Sequence, residues 1–534
     1  MAVSFLKRSP SRLVDVMHWT RHQIDRIKLT YTTGRYVAVT PWPQKPFIYQ
    51  INTYVWLNTL SRAYKRPLTL ENVPDKVLDE IASYNCDAVW LMGIWQRSAA
   101  ARASAHNYLH EYRGALPDLT PDDVPGSPYA VGAYQVEELF GGRVGLALFR
   151  KRLRDRGIKL VLDFVPNHVA TDHAWIKTHP EYMVQAQVKD LKERSSDFFM
   201  TKDALGKEMV VAHGRDPYFP GWIDTAQLNA YNPNLRRATL TTLLDIANQC
   251  DAVRCDMAML MLNEVFARTW GAYAPEKPAT EYWTDIIPNV KKSYPEFKFI
   301  AEVYWDLEAT LHGLGFDYCY DKRLYDRIRE GHWSEIRAHL LAPIEFQKSL
   351  VRFIENHDEP RAAAALGISR SLPAAVLICT LPGATLLHDG QFVGRRVKLP
   401  VQLGRQPTEK LNNELKAYYL KLLTETRKPI YQEGEWWLFH PTPGKPDGSY
   451  HNLIAYGWRS ADDMCVVVAN MSDHHSTSNI PLNFWPELAD SNWLLTDTLD
   501  GAASYERSGA AMHDPGLYVD LQPYESHIFH FQRA

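Results

Sequence analysis

Four short segments each close an apolar run with acidic, basic or imidazole side chains. They read Lys-Leu-Val-Leu-Asp163-Phe-Val-Pro-Asn167-His168, Asp-Ala-Val-Arg254-Cys-Asp256, Phe-Ile-Ala-Glu302 and Phe-Ile-Glu-Asn-His357-Asp358. Two carboxyl groups within reach of one bond can divide a displacement between them: one attacks, the other gives up a proton and later recovers it. Asp256, Glu302 and Asp358 are the candidates for such work. Arg254 lies two residues before Asp256, and on a strand positions i and i−2 share a face. A fixed cation there is expected to lower the Asp256 pKa and hold the group ionised. Glu302 follows Phe299-Ile300-Ala301 and precedes Val303-Tyr304-Trp305, an apolar and aromatic setting that is expected to raise a carboxyl pKa, as a proton donor requires.

The runs that carry these groups have strand length, and helical stretches lie between them. Alternation of that kind implies a parallel sheet, with the polar clusters gathered at the carboxyl ends of its strands as a catalytic mouth. Strands are expected over Phe47 to Trp56, Ala88 to Trp95, Lys159 to Val165, 251–256, 298–303, 316–320, 351–354 and Ala384 to His388. Helices are expected over Asp75 to Tyr84, Gly145 to Arg156 and Glu409 to Glu425, and one opens at Asn232-Pro233, an N-cap followed by proline. About sixty residues separate His168 from that helix, a loop long enough to be functional or a small subdomain. From about residue 432 short apolar runs alternate with Gly, Asn, Asp and Pro, the pattern of an all-β domain. Residues 1–45 form a preface with a basic, amphipathic helix candidate around Arg12 to Leu29, expected to dock on the body of the protein rather than on a membrane.

A chain of 534 residues is too long for one ordinary domain. Its net charge of −3 speaks against nucleic acid or another polyanion as partner. The six cysteines show no framework spacing, so buried free thiols in a reducing compartment are expected. The N-terminus carries charges inside what would be the apolar core of a signal peptide, and no stretch is long enough to span a bilayer. A cytoplasmic location with no membrane partner is the expectation.

In order and spacing, the four segments resemble the signature regions of the α-amylase superfamily, glycoside hydrolase family 13, over roughly residues 46–430. The resemblance implies a (β/α)8 TIM barrel with an inserted domain B at 169–230 and a C-terminal β-sandwich at 431–534. It implies Asp256 as nucleophile, Glu302 as acid/base and Asp358 as a third acid that grips ring hydroxyls of the substrate. His168 and His357 would hydrogen-bond the same sugar, while Asp163 would organise the cleft floor beside Arg254. Tyr129, in Ser-Pro-Tyr129-Ala-Val-Gly-Ala-Tyr134, resembles the aromatic stacked under the reactive sugar, with a core tyrosine as its rival.

Two departures from the family pattern carry information. Met259 and Leu260 stand where endo-acting relatives commonly carry Lys-His on the acceptor side, which favours an oligosaccharide or small glucoside as partner over a long polymer. Gln227 stands where many relatives have an Asp that can bind calcium, and a neutral amide is a poorer ligand for a hard cation. No metal and no cofactor are expected. The run Gly394-Arg395-Arg396-Val-Lys398 to Arg405 offers four cations, either to clamp an anionic acceptor or to make structural salt bridges. Three functions stay open: a retaining hydrolase of α-glucosidic bonds, a transglycosidase or phosphorylase that uses the same intermediate, and a non-catalytic binding protein.

Overall fold

The computed structural model describes residues 41–274, 276–461, 463–501 and 503–534. The helix candidate at Arg12 to Leu29, with most of the N-terminal preface, lies outside them. Eight parallel strands close into a barrel: β1 (Phe47–Asn52), β2 (Ala88–Met92), β3 (Lys159–Phe164), β4 (Ala252–Cys255), β5 (Lys298–Ala301), β6 (Tyr318–Tyr320), β7 (Leu350–Arg352) and β8 (Ala384–His388). Each strand pairs with its neighbours in chain order, and β8 closes on β1. The fold is therefore the (β/α)8 barrel. Its strands are buried along nearly their whole length, as expected where helices cover the outside of a parallel sheet.

Several ends differ from the sequence expectation. The first strand stops at Asn52 instead of running to Trp56, because the Asn52 side chain accepts from Val55 N at 3.3 Å and starts the helix Thr53–Ala63. The second stops at Met92. Gly93 turns the chain at φ 73°, and Trp95–Arg97 leaves the barrel to pair antiparallel with Val131–Val136. The sixth and seventh strands are shorter or shifted, and the helices expected over Gly145 to Arg156 and Glu409 to Glu425 are Gly142–Arg154 and Asn413–Glu425. Asn412 caps the latter through Leu415 N at 3.0 Å. The helix at Asn232-Pro233 begins where its cap predicts, with Asn232 Oδ1 accepting from Asn234 N and Leu235 N.

Between β3 and β4 the chain forms a two-stranded ribbon (His168–Ala170 with Thr225–Gln227) and a three-stranded sheet of Gln185–Ala186, Glu208–Ala212 and Phe198–Lys202. A small core of Val169, Ile176, Tyr182, Val211, Ala226 and Leu228 holds this insertion together. After the barrel come a six-stranded and a three-stranded antiparallel sheet between Glu435 and Arg533. Phe439, Val466, Trp485, Leu495 and Phe529 are among the residues of their shared core. The opposite side of the larger sheet, with Ile454, Tyr456, Val467 and Ile528, joins the barrel core. The helix Gly367–Thr380 lies in that seam and is buried over almost its whole final three turns. All six cysteines are buried and free.

Candidate active site

The parallel register sets the site. Arg254 of β4 stands opposite Asp163 of β3 and Ile300 of β5, so residues at the carboxyl ends of three adjacent strands share one level of the barrel mouth. Arg254 is fully buried, and its guanidinium lies 5.3 Å from the Trp90 ring, 5.2 Å from Tyr129 and 5.8 Å from Tyr320. Its Nη1 donates to Asp256 Oδ1 at 2.8 Å and its Nη2 to Glu302 Oε2 at 2.7 Å. Asp163 is 3.8 Å from Nη1 and also accepts from Gly93 N at 2.8 Å and Trp90 Nε1 at 3.2 Å. One planar fork thus clasps two carboxylates, while Asp163 ties the third strand to the second.

The sequence expectation for Asp256 needs correction. Burial pushes its carboxyl well above the ordinary range, and the charges of Glu302 and Asp358 add to that. Arg254 opposes the rise without cancelling it, because its single charge is shared among several acids. Glu302 is not in the apolar setting that its sequence neighbours suggest. Oε2 accepts from Arg254 and from Met257 N at 2.7 Å, and Oε1 accepts from Tyr304 OH at 2.7 Å. Met257 presents its N–H from a left-handed backbone conformation, φ 43°. The Glu302 carboxylate is instead surrounded by hydrogen-bond donors, so neighbours in sequence were a poor guide to its setting.

Asp358 and His357 sit on a turn after β7 that Asn356 shapes by accepting from Asp358 N at 2.8 Å and Glu359 N at 3.0 Å. His357 Nε2 lies 2.9 Å from Asp358 Oδ2 and 2.6 Å from Tyr129 OH, and Nδ1 lies 2.6 Å from Gln50 Nε2. With Gln50 donating to Nδ1, the ring proton is on Nε2, facing Asp358 and Tyr129. Although burial works to raise it, His357, Arg254 and Lys398 bring the Asp358 carboxyl down to about 2. The Tyr129 ring stacks on His357 at 5.3 Å and 25°. His168 lies on the inserted ribbon with Trp222 at 5.1 Å, and burial carries its pKa down to about 4. The imidazole is therefore neutral at pH 7.

Asp256, Glu302, Asp358, Arg254, Asp163, His357 and Tyr129 are thus joined through direct contacts and short-range charge effects, with His168 on the wall formed by the insertion. Sequence reasoning missed Gln50, Trp90, Tyr304 and Tyr320. Gln50 did carry a signal, as a fully buried amide inside the apolar strand Phe-Ile-Tyr-Gln50-Ile-Asn.

The family model for the α-amylase catalytic domain matches residues 75–311, which hold Tyr129, Asp163, His168, Arg254, Asp256 and Glu302. Over those residues the chain is similar to the α-amylase superfamily. It is 24% identical over 491 residues to α-amylase MalA of Haloarcula japonica, covering 89% of this chain and 62% of that protein. It thus spans less than two thirds of that relative. To α-amylase 3 of Dictyoglomus thermophilum it is 21% identical over 420 residues, 74% of each chain. The maltogenic α-amylase AmyB of Thermotoga neapolitana shares the fold, with a TM-score of 0.64 at 18% identity over 92% of this chain and 99% of that one.

The calcium position common in this superfamily has a different content here. Gln227 Nε2 donates to Asn167 O and Asn167 Oδ1, both at 2.9 Å, and to Leu228 O at 3.0 Å. An amide N–H group thus faces the oxygens that a cation would need, and these residues do not fit a calcium ion. Among the described residues no cluster of three His, Cys, Asp or Glu side chains could hold a metal. Met259 and Leu260 are buried members of the hydrophobic core. The basic run after β8 is largely spent on the protein itself. Arg405 pairs with Asp118 and Asp123, the Arg396 backbone N–H bonds Glu409, and Arg395 approaches Glu409 at 3.6 Å.

Proposed function

We propose that the protein is a retaining glycosidase that cleaves α-glucosidic bonds of short α-glucans or small α-glucosides through a covalent glycosyl-enzyme intermediate. The observation that carries this is the clasp of Asp256 and Glu302 by the two ends of one guanidinium. A single fork keeps the two near oxygens a few ångströms apart, which suits the roughly 5–5.5 Å separation of retaining enzymes better than the roughly 6.5–9.5 Å of inverting ones.

In this reading Asp256 attacks the anomeric carbon as the glycosidic C–O bond breaks, and Glu302 gives its proton to the departing oxygen. Oε2 of Glu302 already accepts two N–H donors that cannot turn round, so the proton rides on Oε1, where the Tyr304 hydroxyl can switch from donor to acceptor. Water then gives its proton to Glu302 and its hydroxyl to the anomeric carbon, which frees Asp256. Asp358, His357 and neutral His168 hold the sugar hydroxyls, and Tyr129 lies under the ring. Arg254 steadies the negative charge that returns to Asp256 at the end of the cycle.

A second reading passes the glycosyl unit to a sugar or to phosphate instead of water. The aromatic rim beside Glu302 favours it, since the exposed Tyr218 contacts Trp305 edge-on at 5.1 Å and such rings suit an acceptor sugar better than water. Mass spectrometry of the products from a panel of α-glucosides, with and without phosphate, separates the two. Proton NMR of the nascent anomer tests the shared mechanism, and release of the β-anomer first would overturn both readings.

A further inference from the structure

The loop after β2 and the loop after β8 build a structure of their own across the barrel mouth. After Trp95–Arg97 the chain makes the helices Ala99–His106 and Leu109–Tyr112 and a turn at Pro121–Asp123. Ala105, Tyr112, Leu116, Leu119 and Val124 of this excursion form a separate small core, and its remaining fully buried member, Leu403, comes from the loop after β8. Arg405 fastens the two together. Its Nε donates to Asp123 Oδ1 at 2.6 Å, its Nη2 to Asp123 Oδ2 at 2.9 Å and its Nη1 to Asp118 Oδ2 at 3.0 Å. Gly404 donates to Asp123 O at 2.7 Å and accepts from Asn58 Nδ2 at 2.9 Å. It lies flat on Tyr54, where a side chain would come within 2.4 Å of the ring.

The barrel order places β1 between β8 and β2, and β1 has no mouth loop, since Asn52 leads straight into a helix. The bridge therefore fills the gap above β1. In a ring of eight strands β1 stands opposite β5, which carries Glu302. Glu302 protonates the leaving oxygen, so the leaving group extends over the β4–β5 side and the rest of the donor extends towards the bridge. Lys398, at the inner edge of the bridge, bonds the carbonyl oxygen of Asp358. The space left beneath, lined by Asn52, Asn356, His357, Lys398, Leu399 and Gln406, is about 20 Å³. A cavity of that size holds about one water and no sugar ring.

We infer that this bridge ends the cleft one sugar unit behind Asp256, so that the enzyme removes single terminal units from the non-reducing end of its substrates. The inference rests on the proposed glycosidase reading and adds the direction and the step size of attack. Leu403 and Arg405 are specificity-determining residues that touch no reacting atom.

The test uses an aryl α-maltoheptaoside, free or blocked by an acetal on the 4,6-hydroxyls of its non-reducing end. The wild-type protein shortens the free substrate by one glucose at a time and cleaves the blocked one slower by about 100-fold or more, since the wall rejects the added group. In the double variant Leu403→Ser with Arg405→Ala the blocked-to-free rate ratio rises by about tenfold or more. Comparable wild-type rates on the two substrates, or internal cuts appearing first, would overturn the inference while leaving the glycosidase reading intact. Inertness towards both substrates and towards small α-glucosides would overturn the glycosidase reading, and the inference with it. The wild-type comparison decides the matter even if the double variant does not fold.

Discussion

Replacing Arg254 with methionine keeps most of the side-chain volume and removes the one cation that Asp256 and Glu302 share. Both carboxylates are nearly inaccessible, at 9% and 4% of their side-chain surface, and the guanidinium is at 1%. Breaking a buried ion pair by deleting one partner costs about 3–5 kcal/mol, most of it from the charge left behind. Arg254 Nε has no partner to lose, so the cost falls on the two terminal nitrogens. The sign of the pH dependence follows from Asp256, whose folded pKa already lies above its unfolded value. Such a group favours the fold while protonated, and that contribution is lost as the pH rises through the folded pKa. Without Arg254 the folded pKa climbs further. The deficit of Arg254→Met against wild type is therefore smallest in acid and grows as the pH rises through the wild-type folded pKa. Calorimetric melting of both proteins across a range of pH reads it directly. Adding Asp256→Asn to the variant removes one stranded charge and should restore part of the loss. A deficit that stays flat with pH, and is not relieved by Asp256→Asn, would refute the view that Arg254 acts as a shared counter-charge.

Asp256→Asn and Glu302→Gln should each fold normally and lose about 10³-fold or more in turnover, with Glu302→Gln partly spared on substrates with good leaving groups, as steady-state kinetics will read. Chelation should leave the melting temperature of the wild-type protein unchanged, whereas Gln227→Glu should destabilise it by about 1–3 kcal/mol by turning a carboxylate on the oxygens that Gln227 now satisfies. Calorimetry with and without calcium checks both. His530 bonds Glu425 at 2.6 Å and Asp463 at 3.0 Å, and despite burial these partners raise its pKa to about 12. Its stabilisation is full below the unfolded value of about 6.5 and fades as the pH rises towards the folded one. His530→Gln should thus lower the melting temperature more at pH 6 than at pH 10.

The barrel was legible because its strands are unbroken apolar runs ending in polar clusters, a pattern local to five or ten residues. Their ends were less so. Tyr54, Val55 and Trp56 continue the apolar run of β1 while belonging to a helix, and only the capping side chain of Asn52 marks the change. The excursion after β2 left no trace in periodicity, since its Ala-rich helix is weakly apolar and its core is completed by Leu403, far along the chain. The candidate acids were found by type and spacing, but not their ionisation. Asp256 responds to Glu302 and Asp358, which approach it only when strands four, five and seven close into one ring. Tyr304 was visible two residues after Glu302, yet nothing in the sequence says that its hydroxyl reaches back to that carboxylate.

The helix Gly367–Thr380 has almost no polar face over its final turns, because barrel strands cover one side and the C-terminal sheet the other. On the ribosome these two covers arrive at different times. Strands up to β7 precede the helix, but Ile528 of the sheet emerges about 150 residues after Thr380, or roughly 7–30 s later at about 5–20 residues per second. Until then the nascent chain carries an incompletely covered hydrophobic cylinder on a nearly finished barrel. The strand that carries Ile528 thus closes this seam, and chains truncated before it should be the ones that chaperones retain or proteases clear.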